Sequence, residues 1–282
     1  MFFSNINPDM NLNSMNLPAR YFTIEEYCNS NFHLSSNLSL LNYNICSFFA
    51  HQSHFECLLD MFPDCFDILT LSETWLYPFN FQACHLKNYT GYHTYRTESR
   101  SGGISVFVNQ IYKSSMVESL SLCNENIESC VVRISKNDVI ISCIGIYRPH
   151  SGTIEAFTDE LERILCSSLI QNGLVFVSGD MNINMNFSSN MVLNYVATLT
   201  SLNYFSLINN NTRFSNNDTN SNQSRSAIDH VWINEFLSCD SVIIEYGLTD
   251  HRPCIVHLNY NRIVNTQPPL KTIEFRPFKE SL

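Results

Sequence analysis

The sequence predicts an α/β sandwich, in which two packed mixed β-sheets are flanked by helices. Two observations predict it: strand-sized apolar runs outnumber helical segments, and local hairpins occur together with helical crossovers. A doubly wound sheet would instead join its strands by helices throughout. At 282 residues and 44% hydrophobic content, the chain can bury a substantial core.

Strands and helices alternate in the first part of this pattern. Apolar runs bounded by polar or glycine residues predict buried strands, and apolar residues three to four apart predict a helix. The predicted elements are strand Leu38–Ile45, helix Phe55–Met61, strand Phe66–Leu71, strand Ile104–Val108 after Gly102-Gly103, and a hairpin of Cys130–Ile134 with Val139–Tyr147 over Ser135–Asp138.

The second part continues with two helices and a run of strands. Ile154, Phe157, Leu161, Ile164 and Leu165 have helical spacing, so the prediction there is a helix over Ile154–Leu169. The remaining elements are strand Leu174–Val177, helix Met191–Leu202, a polar loop over Asn209–Ser226, and strands Ala227–Ile233, Ser241–Glu245 and Cys254–Leu258.

Composition divides the chain into three parts. Residues 1–36 are rich in Asn and Ser and predict a disordered leader, apart from a short helical turn at Ile24–Tyr27. Residues 37–260 form the predicted folded domain. Residues 261–282 contain a Pro pair and scattered apolar residues, which indicates a C-terminal extension or linker.

Several protein classes are disfavoured by what the sequence lacks. The N-terminus has no cationic start followed by an apolar segment, so we expect an intracellular protein that is not secreted. The apolar runs are far shorter than the roughly 20 residues that span a bilayer, so no membrane partner is expected. The eleven cysteines are irregularly spaced without a CxxC pair, which favours reduced thiols over a disulfide framework.

Net charge raises a question about the substrate. The formal charge is −10, which argues against a wide basic surface that grips long nucleic acid. It is compatible with a hydrolase whose metal site is lined by carboxylates. A DNA substrate would then require local Lys and Arg clusters that the total conceals.

Polar side chains follow the apolar runs at the points where predicted strands end or begin. Strand ends that point one way form a rim where such groups can converge into a site. Phosphodiester hydrolysis needs a neutralised phosphate, an activated water and a stabilised leaving oxygen, which carboxylates with Mg²⁺ or Mn²⁺ and a His can supply. These rim positions are Glu73, Tyr147-Arg148, Asp180 with Asn182, Asp229, and Asp250-His251.

Motifs in order along the chain resemble the endonuclease domain of LINE-like (non-LTR) retrotransposons, an apurinic/apyrimidinic-type member of the endonuclease/exonuclease/phosphatase superfamily. Leu71–Leu76 is a near-verbatim match to its metal-binding "sETWL" run. The resemblance covers about residues 38–260 and implies a four-layer, deoxyribonuclease-I-like sandwich. The other matching segments are Asn42–Phe48, Ser101–Ile104, Ile127–Ser129, Tyr147–Pro149, Gly179–Asn182, Thr212-Arg213, Ser226–His230 and Thr249–Pro253.

Carried over by matching position, the resemblance implies a metal and water side of the site. Glu73 would be the principal ligand of Mg²⁺ (or Mn²⁺), with Asn44 and Asp250 nearby. Asp180 would orient or deprotonate the attacking water. Asn182 would hold that water or the phosphate.

The resemblance also implies a phosphate side. Tyr147 would hydrogen-bond the scissile phosphate, and His251 would contact it in the transition state. Asp229 would fix the tautomer of His251 and raise its basicity. The implied substrate contacts are Ser226, Thr212 and Arg148.

Three further residues are interpreted beside these. His230 is expected to be an outward-facing strand residue and not a ligand. Trp75 is expected to pack under the Glu73 loop more than to stack on a base. Cys46 stands where the family usually has a basic residue, which puts tight DNA binding in doubt.

The expected activity is a metal-dependent DNA endonuclease that nicks one strand and leaves a 3′-hydroxyl, as in target-primed retrotransposition. A reverse transcriptase domain of the same element would be its partner, and the nucleus its location if genomic DNA is the substrate. Two alternatives stay open: a catalytically decayed binding module, and a same-fold phosphodiesterase that acts on a lipid or small phosphoester.

Overall fold

A computed structural model describes residues 19–30, 37–63, 66–99, 101–136, 139–171, 173–215 and 224–260 of the chain. Within them, two mixed β-sheets pack face to face, with helices on both outer surfaces. The predicted four-layer α/β sandwich is confirmed. No helix within these ranges is both long and apolar enough to cross a bilayer.

The first sheet has seven strands, in the order β1-β14-β15-β2-β3-β5-β4. The pairs β2–β3 and β1–β14 are parallel, and the other neighbours are antiparallel. Its strands are β1 (Arg20–Phe22), β2 (Leu38–Asn44), β3 (Ile68–Ser72), β4 (Tyr89–Thr94), β5 (Ile104–Asn109), β14 (Cys239–Ile244) and β15 (Cys254–Leu258).

The second sheet has six strands, in the order β10-β13-β9-β8-β7-β6. Only β8–β9 is parallel, and β7–β8 is the predicted hairpin. Its strands are β6 (Lys113–Met116), β7 (Glu128–Lys136), β8 (Val139–Tyr147), β9 (Leu174–Asp180), β10 (Phe205–Ser206) and β13 (Asp229–Ile233); β11 (Arg213–Ser215) and β12 (Ser224–Ser226) form a separate antiparallel pair.

Four α-helices and two short 3₁₀ turns, Phe81–Ala83 and Glu118–Leu120, complete the described chain. Helices α1 (Ile24–Cys28) and α2 (Phe48–Met61) cover the first sheet, where Phe48, Phe55 and Leu58 pack against Leu41 and Tyr43. Helices α3 (Ile154–Leu165) and α4 (Asn190–Ser201) cover the second sheet. A third apolar cluster fills the space between the sheets.

The N-terminal expectation needs correction for residues 19–30. They are not a leader: β1 adds to the edge of the first sheet beside β14, and α1 begins at a capping box of Thr23 and Glu26. Buried Tyr27 anchors α1, and its hydroxyl lies 2.6 Å from Nε2 of His257 on β15. The predicted helical turn at Ile24–Tyr27 is confirmed. The rest of 1–36, and 261–282, lie outside the described residues.

Helix ends differ from prediction where caps decide them. Helix α2 begins seven residues earlier than the apolar spacing indicated, because Ser47 accepts a hydrogen bond from the Ala50 amide and Phe48 is buried. Helix α3 ends at Leu165 and not at Leu169. There the Ser167 hydroxyl accepts a hydrogen bond from the Leu169 amide, which competes with continued helix.

The predicted polar loop Asn209–Ser226 also differs, because it contains the β11–β12 pair. Its composition is polar because the pair lies at the surface, with every described residue of both strands at least partly exposed. Short, two-sided polar strands lack the apolar alternation by which strands are recognised in a sequence.

Strand direction places the polar rim. The parallel pair β2–β3 ends at Asn44 and Ser72, and the parallel pair β8–β9 ends at Tyr147 and Asp180. Antiparallel β13 starts beside Asp180 at Asp229. The two sheets therefore bring several functional candidates to one end of the sandwich.

Candidate active site

Asn44 connects the two sheets at this end. Its Nδ2 atom donates to Oδ2 of Asp180 at 2.9 Å and to Oε1 of Glu73 at 3.1 Å. Beside it, the Asp180 amide donates to the Ser72 hydroxyl at 3.1 Å. One buried amide thus holds a carboxylate from each sheet within a few ångströms of the other, and it acts as a donor to both.

His251 lies between two aspartates. Its Nδ1 atom is 2.8 Å from Oδ2 of Asp229, and its Nε2 atom is 3.9 Å from Oδ2 of Asp180. All three side chains are at least 95% buried, with exposed fractions of 5%, 1% and 1%. The backbone aids this arrangement, because the Thr249 hydroxyl accepts a hydrogen bond from the His251 amide.

These neighbours change the ionisation of His251. Burial alone would lower its pKa, but the charge and hydrogen bond of Asp229, with the charges of Asp180 and Asp250, raise the pKa to about 9. The imidazole is therefore cationic at neutral pH, with Nδ1–H directed at Asp229 and Nε2–H free to meet an anion.

The surroundings of Asp180 also raise its pKa, which makes this carboxylate a stronger base. Burial and then the charge of Asp229 raise its pKa well above that of an ordinary aspartic acid, although His251 and two hydrogen-bond donors act against the shift. A carboxyl whose pKa is moved toward neutrality can accept a proton from water. The site therefore pairs a basic carboxylate with a cationic imidazole.

Glu73 is presented by a strained turn. Its φ is 51° and that of Trp75 is 55°, both in the left-handed region that non-glycine residues rarely adopt. The turn is held from two sides: the amides of Ser47 and Phe48 donate to the carbonyls of Glu73 and Thr74, while those of Thr74 and Trp75 donate to Gly103 and Gly102. A Cβ on Gly103 would lie 2.7 Å from Thr74 Oγ1.

The Glu73 carboxylate accepts hydrogen bonds from Asn44 Nδ2 and from Trp75 Nε1, the latter at 3.3 Å. Trp75 is 36% exposed, so it packs under the loop with most of its surface while part of it stays accessible. No cationic side chain among the described residues pairs with Glu73 at salt-bridge distance.

Tyr147 and Asn182 complete this rim. Tyr147 stands beside Asp180 in the β8–β9 register, and burial together with the charges of Glu73, Asp180 and Glu128 raises its pKa, so it remains a neutral hydrogen-bond donor. Asn182 has a φ of 49°, and its Nδ2 atom donates to the Arg148 carbonyl at 2.9 Å.

Asp250 lies at the exposed edge. Its Oδ2 atom accepts a hydrogen bond from Arg213 Nε at 2.7 Å, and its Oδ1 atom is 3.9 Å from His251 Nε2. Burial would lower the pKa of Arg213, but Asp250, Asp180 and Glu73 raise it, so this guanidinium senses all three carboxylates. Arg213 was part of the quoted Thr212-Arg213 motif, but no role was predicted for it.

Two predicted substrate contacts need correction. Thr212 has no exposed surface, and its hydroxyl accepts hydrogen bonds from the amides of Ile228 and Asp229, so it positions the strand that carries Asp229. Arg148 is 7% exposed, and its guanidinium donates to the carbonyls of Met181, Asn182, Pro149 and Gly152. Through its hydrogen bonds to Met181 and Asn182, the buried guanidinium holds the Gly179–Asn182 segment in place.

Ser226 remains a partly exposed residue at the end of β12, where its carbonyl accepts a hydrogen bond from the Thr212 amide. His230 is not outward-facing. It is 1% exposed, with Nδ1 3.0 Å from the Tyr195 hydroxyl and Nε2 3.2 Å from the Ala227 carbonyl. Strand alternation predicted the wrong face because both faces of β13 are covered.

A second buried ion pair adjoins the site. Glu128 has no exposed surface; it accepts hydrogen bonds from the Gly103 amide and from Arg96 Nε, the latter at 2.5 Å. It thereby fixes the strand entry that supports the Glu73 turn. Glu128 belongs to one of the matching motifs, but no role was predicted for it. The spacing of residues in the sequence does not reveal that Arg96 is its partner.

Comparison with known proteins agrees with this architecture. Residues 41–251 match the profile of the Endonuclease/Exonuclease/phosphatase family. No curated protein matches the chain.

Solved structures share the fold at low identity. The endonuclease domain of TRAS1, a telomere-specific non-LTR retrotransposon, is 14% identical at a TM-score of 0.60, over 80% of this chain and 100% of that one. An AP endonuclease from Leishmania major is 12% identical at 0.64, over 88% and 94%. A 3′ phosphatase from Neisseria, bound to product DNA hairpin, is 14% identical at 0.58, over 79% and 100%.

Proposed function

The chain belongs to the endonuclease/exonuclease/phosphatase family, and from this premise we propose that it is a DNA endonuclease that nicks one strand and leaves a 3′-hydroxyl. One observation carries the proposal: His251, backed by Asp229 at 2.8 Å, faces Asp180, which Asn44 ties to Glu73. A base, a cationic phosphate ligand and a carboxylate for a metal thus share one rim.

In this mechanism the water oxygen attacks phosphorus while Asp180 accepts the water's proton, as its raised pKa permits, and the P–O3′ bond breaks. The leaving O3′ takes a proton from solvent and becomes the 3′-hydroxyl. Asn182 holds that water or a phosphate oxygen, and Tyr147 donates its hydroxyl proton to another phosphate oxygen. His251 places Nε2–H on the phosphate as charge develops there. One well-placed opposite charge at about 4 Å contributes roughly 4 kcal/mol at an effective dielectric near 20, or about three decades of rate.

The donor set fits a hard divalent cation at Glu73. Among the described residues, His251 and Arg213 are the cations within salt-bridge distance of the carboxylates Asp180, Asp229 and Asp250, and none pairs with Glu73. Hard cations prefer such oxygen ligands. Glu73 would be the main ligand, and Mg²⁺ or Mn²⁺ would neutralise phosphate charge when bound. Asn44 would be a weaker ligand, because its Oδ1 atom already accepts a hydrogen bond from the Cys46 amide.

A second arrangement is geometrically open but less favourable. Ligand atoms of Asp180, Asp229 and His251 all lie within 4.8 Å of one another. However, a metal there would have to displace the proton that the neighbouring aspartates stabilise on His251 by raising its pKa, and Nδ1 of this imidazole already lies 2.8 Å from Oδ2 of Asp229. We therefore assign these three groups to proton transfer and phosphate contact.

Local basic residues support a nucleic-acid substrate despite the charge of −10. The guanidinium groups of Arg225 and Arg252 lie over the ring of Phe214, 5.6 Å and 5.2 Å from its centroid. Phe214 directly follows Arg213, which pairs with Asp250 at the site. Such a cluster can contact backbone phosphates where the whole chain would repel them. Ser226, on the same hairpin, is proposed as a further substrate contact.

The retrotransposon context is part of the proposal. The resemblance in the Glu73 and Asp229 motifs supports target-primed nicking, for which a reverse transcriptase domain of the same element would extend the 3′-hydroxyl. Action on genomic DNA would require a nuclear location. A telomere-specific element supplies one fold neighbour, and that specificity is a property of that protein.

The test is a plasmid-nicking assay with purified, folded protein. Supercoiled plasmid should become open circular in Mg²⁺ or Mn²⁺, EDTA should stop the reaction, and the cut ends should carry a 3′-hydroxyl that a polymerase extends. If the folded protein leaves DNA intact under both metals, the nuclease assignment is wrong. Release of phosphate esters from lipid or small-molecule substrates in the same preparation would then favour the lipid alternative.

A further inference from the structure

We propose that Trp75 is a stacking platform for a nucleobase beside the scissile phosphate, so that the preferred substrate carries an unpaired base there. The identity of the substrate as nucleic acid rests on the proposed function. The placement of the indole rests on its own contacts, described below.

Trp75 is fixed next to the catalytic rim. Its Nε1–H donates to Oε2 of Glu73 at 3.3 Å, and its backbone amide donates to the Gly102 carbonyl at 2.9 Å. Its φ of 55° is an unfavourable conformation for a bulky residue, which the surrounding hydrogen bonds enforce. The strained backbone at Trp75 thus directs the indole toward the Glu73 carboxylate.

The indole is nevertheless 36% exposed. Trp232, which packs in the core, is only 3% exposed, so Trp75 leaves a far larger part of its side chain accessible. The indole N–H bonds to Glu73 while part of the side chain is open to solvent. A partly accessible aromatic ring beside a phosphodiesterase rim is suited to a planar, apolar ligand group.

The same loop carries two more aromatic residues. Phe79 is 93% exposed, and its ring centroid lies 6.2 Å from that of Tyr77 in an edge arrangement. Trp75 and Phe79 are thus two exposed aromatic residues within five positions of the chain. We name residues 74–80 the aromatic loop.

Charge points to the same occupant. With 26 acidic and 16 basic residues, the net charge of the chain opposes binding through backbone phosphates. Stacking does not depend on charge and tolerates any base, because every base offers a π-face. A nucleobase on Trp75 would therefore supply affinity on the Glu73 side, where the nearby Arg96 is already paired with Glu128.

The state of the base follows from stacking geometry. In a continuous duplex both faces of each base are covered by neighbours, so Trp75 could stack only on a base that is unpaired or displaced. Single strands, bubbles and negatively supercoiled plasmid supply such bases, whereas relaxed duplex does not. The preferred substrate class is thus single-stranded or locally opened nucleic acid.

Fluorescence can test this without catalysis, because the chain has two tryptophans. In a Trp232→Phe variant, the emission comes from Trp75 alone. In EDTA, a short oligothymidylate should quench it, and an abasic strand of equal length should not. Trp75→Ala should weaken oligothymidylate binding by about tenfold, measured by anisotropy of a labelled strand, the scale of one lost base stack.

Two variants separate stacking from the bond to Glu73. Trp75→Phe keeps an aromatic face but loses the N–H donor, so it should keep most of the base-dependent affinity. Phe236→Ala is the matched control: this ring is 57% exposed and follows β13 at the end opposite Asp229, so affinity should stay unchanged. Trp75→Ala should raise KM on bubble DNA more than it lowers kcat.

The outcomes distinguish this inference from the nuclease proposal. Nicking without base-dependent quenching, or equal nicking of supercoiled and relaxed plasmid, would overturn the stacking role and leave the nuclease proposal standing. Base-dependent quenching without nicking would support the stacking role and overturn the nuclease proposal. Neither binding nor nicking would overturn both.

Discussion

The Nδ1 atom of His251 lies 2.8 Å from Oδ2 of Asp229, and Oδ1 of the same aspartate is buried and has no hydrogen-bond partner among the described residues. The carboxylate is thus committed to the imidazole. Burying a charged carboxylate with one unsatisfied oxygen costs free energy. The neighbouring imidazolium offsets part of that cost.

Asp229→Asn should therefore change the pH profile as well as the rate. The raised pKa of His251, about 9, places loss of its proton at alkaline pH. If protonated His251 contacts the phosphate, activity is present below that pKa and is lost as pH rises through it. The variant should move this alkaline limb to lower pH and lower nicking by about a hundredfold. The measurement is kcat across pH; an unmoved limb would exclude Asp229 from this role.

Glu73→Gln should remove the principal metal ligand while preserving shape. We expect nicking to fall by at least about a hundredfold, the scale of one lost electrostatic contact in a catalytic site. Excess Mg²⁺ should restore little of it. Glu155→Gln is the control, because this exposed glutamate lies in the first turn of α3 away from the rim. A loss below about threefold in Glu73→Gln would place the metal elsewhere.

Arg148→Ala should lower stability more than substrate affinity. Its guanidinium donates to four backbone carbonyls, so removal leaves several buried acceptors unpaired. The expected loss in unfolding free energy is about 3 kcal/mol or more. Arg163→Ala, whose side chain is 56% exposed in a surface pair with Glu160, should lose far less. Urea denaturation measures both; equal losses would contradict a buried support role for Arg148.

His230 should make the fold acid-sensitive. Burial lowers its pKa to about 4, against 6.5 for an exposed histidine, so the unfolded chain binds the proton first as pH falls. Its contribution is complete above the unfolded pKa and is lost as pH falls from about 6.5 toward 4, by up to about 3 kcal/mol. Comparing urea denaturation near pH 7 and near pH 5, His230→Gln should lose less stability than the original chain. An equal loss would show that other groups cause the acid sensitivity.

Much of the fold was predictable because buried strands and amphipathic helices leave periodic patterns. The acids next to strand ends, Glu73, Asp180 and Asp229, could be identified for the same reason, because each of them adjoins an apolar run that predicts a buried strand. Their position at strand ends indicated that they could converge at one rim, and the family resemblance was needed to give each of them a role. Asn44 shows the limit: its position was predicted, but its role as a donor to two carboxylates depends on which side of the amide faces them.

The remaining differences arise from long-range packing. The family resemblance implied that Arg148 contacts substrate, but four carbonyls from two loops surround its guanidinium. Thr212 and His230 are buried for similar reasons, by contacts with Asp229 and Tyr195 that are distant in sequence. Strand β1 was missed because a three-residue strand carries too little pattern to stand out.

That three-residue strand protects the rest of the sheet. Without residues 20–22, the row of backbone groups on Val242–Ile244 would face open water, and an unpaired row of this kind invites another polypeptide to add itself. A fragment trimmed to begin at the first long apolar run would therefore tend to self-associate. We therefore expect residues 20–22 to reduce aggregation through this edge of the sheet.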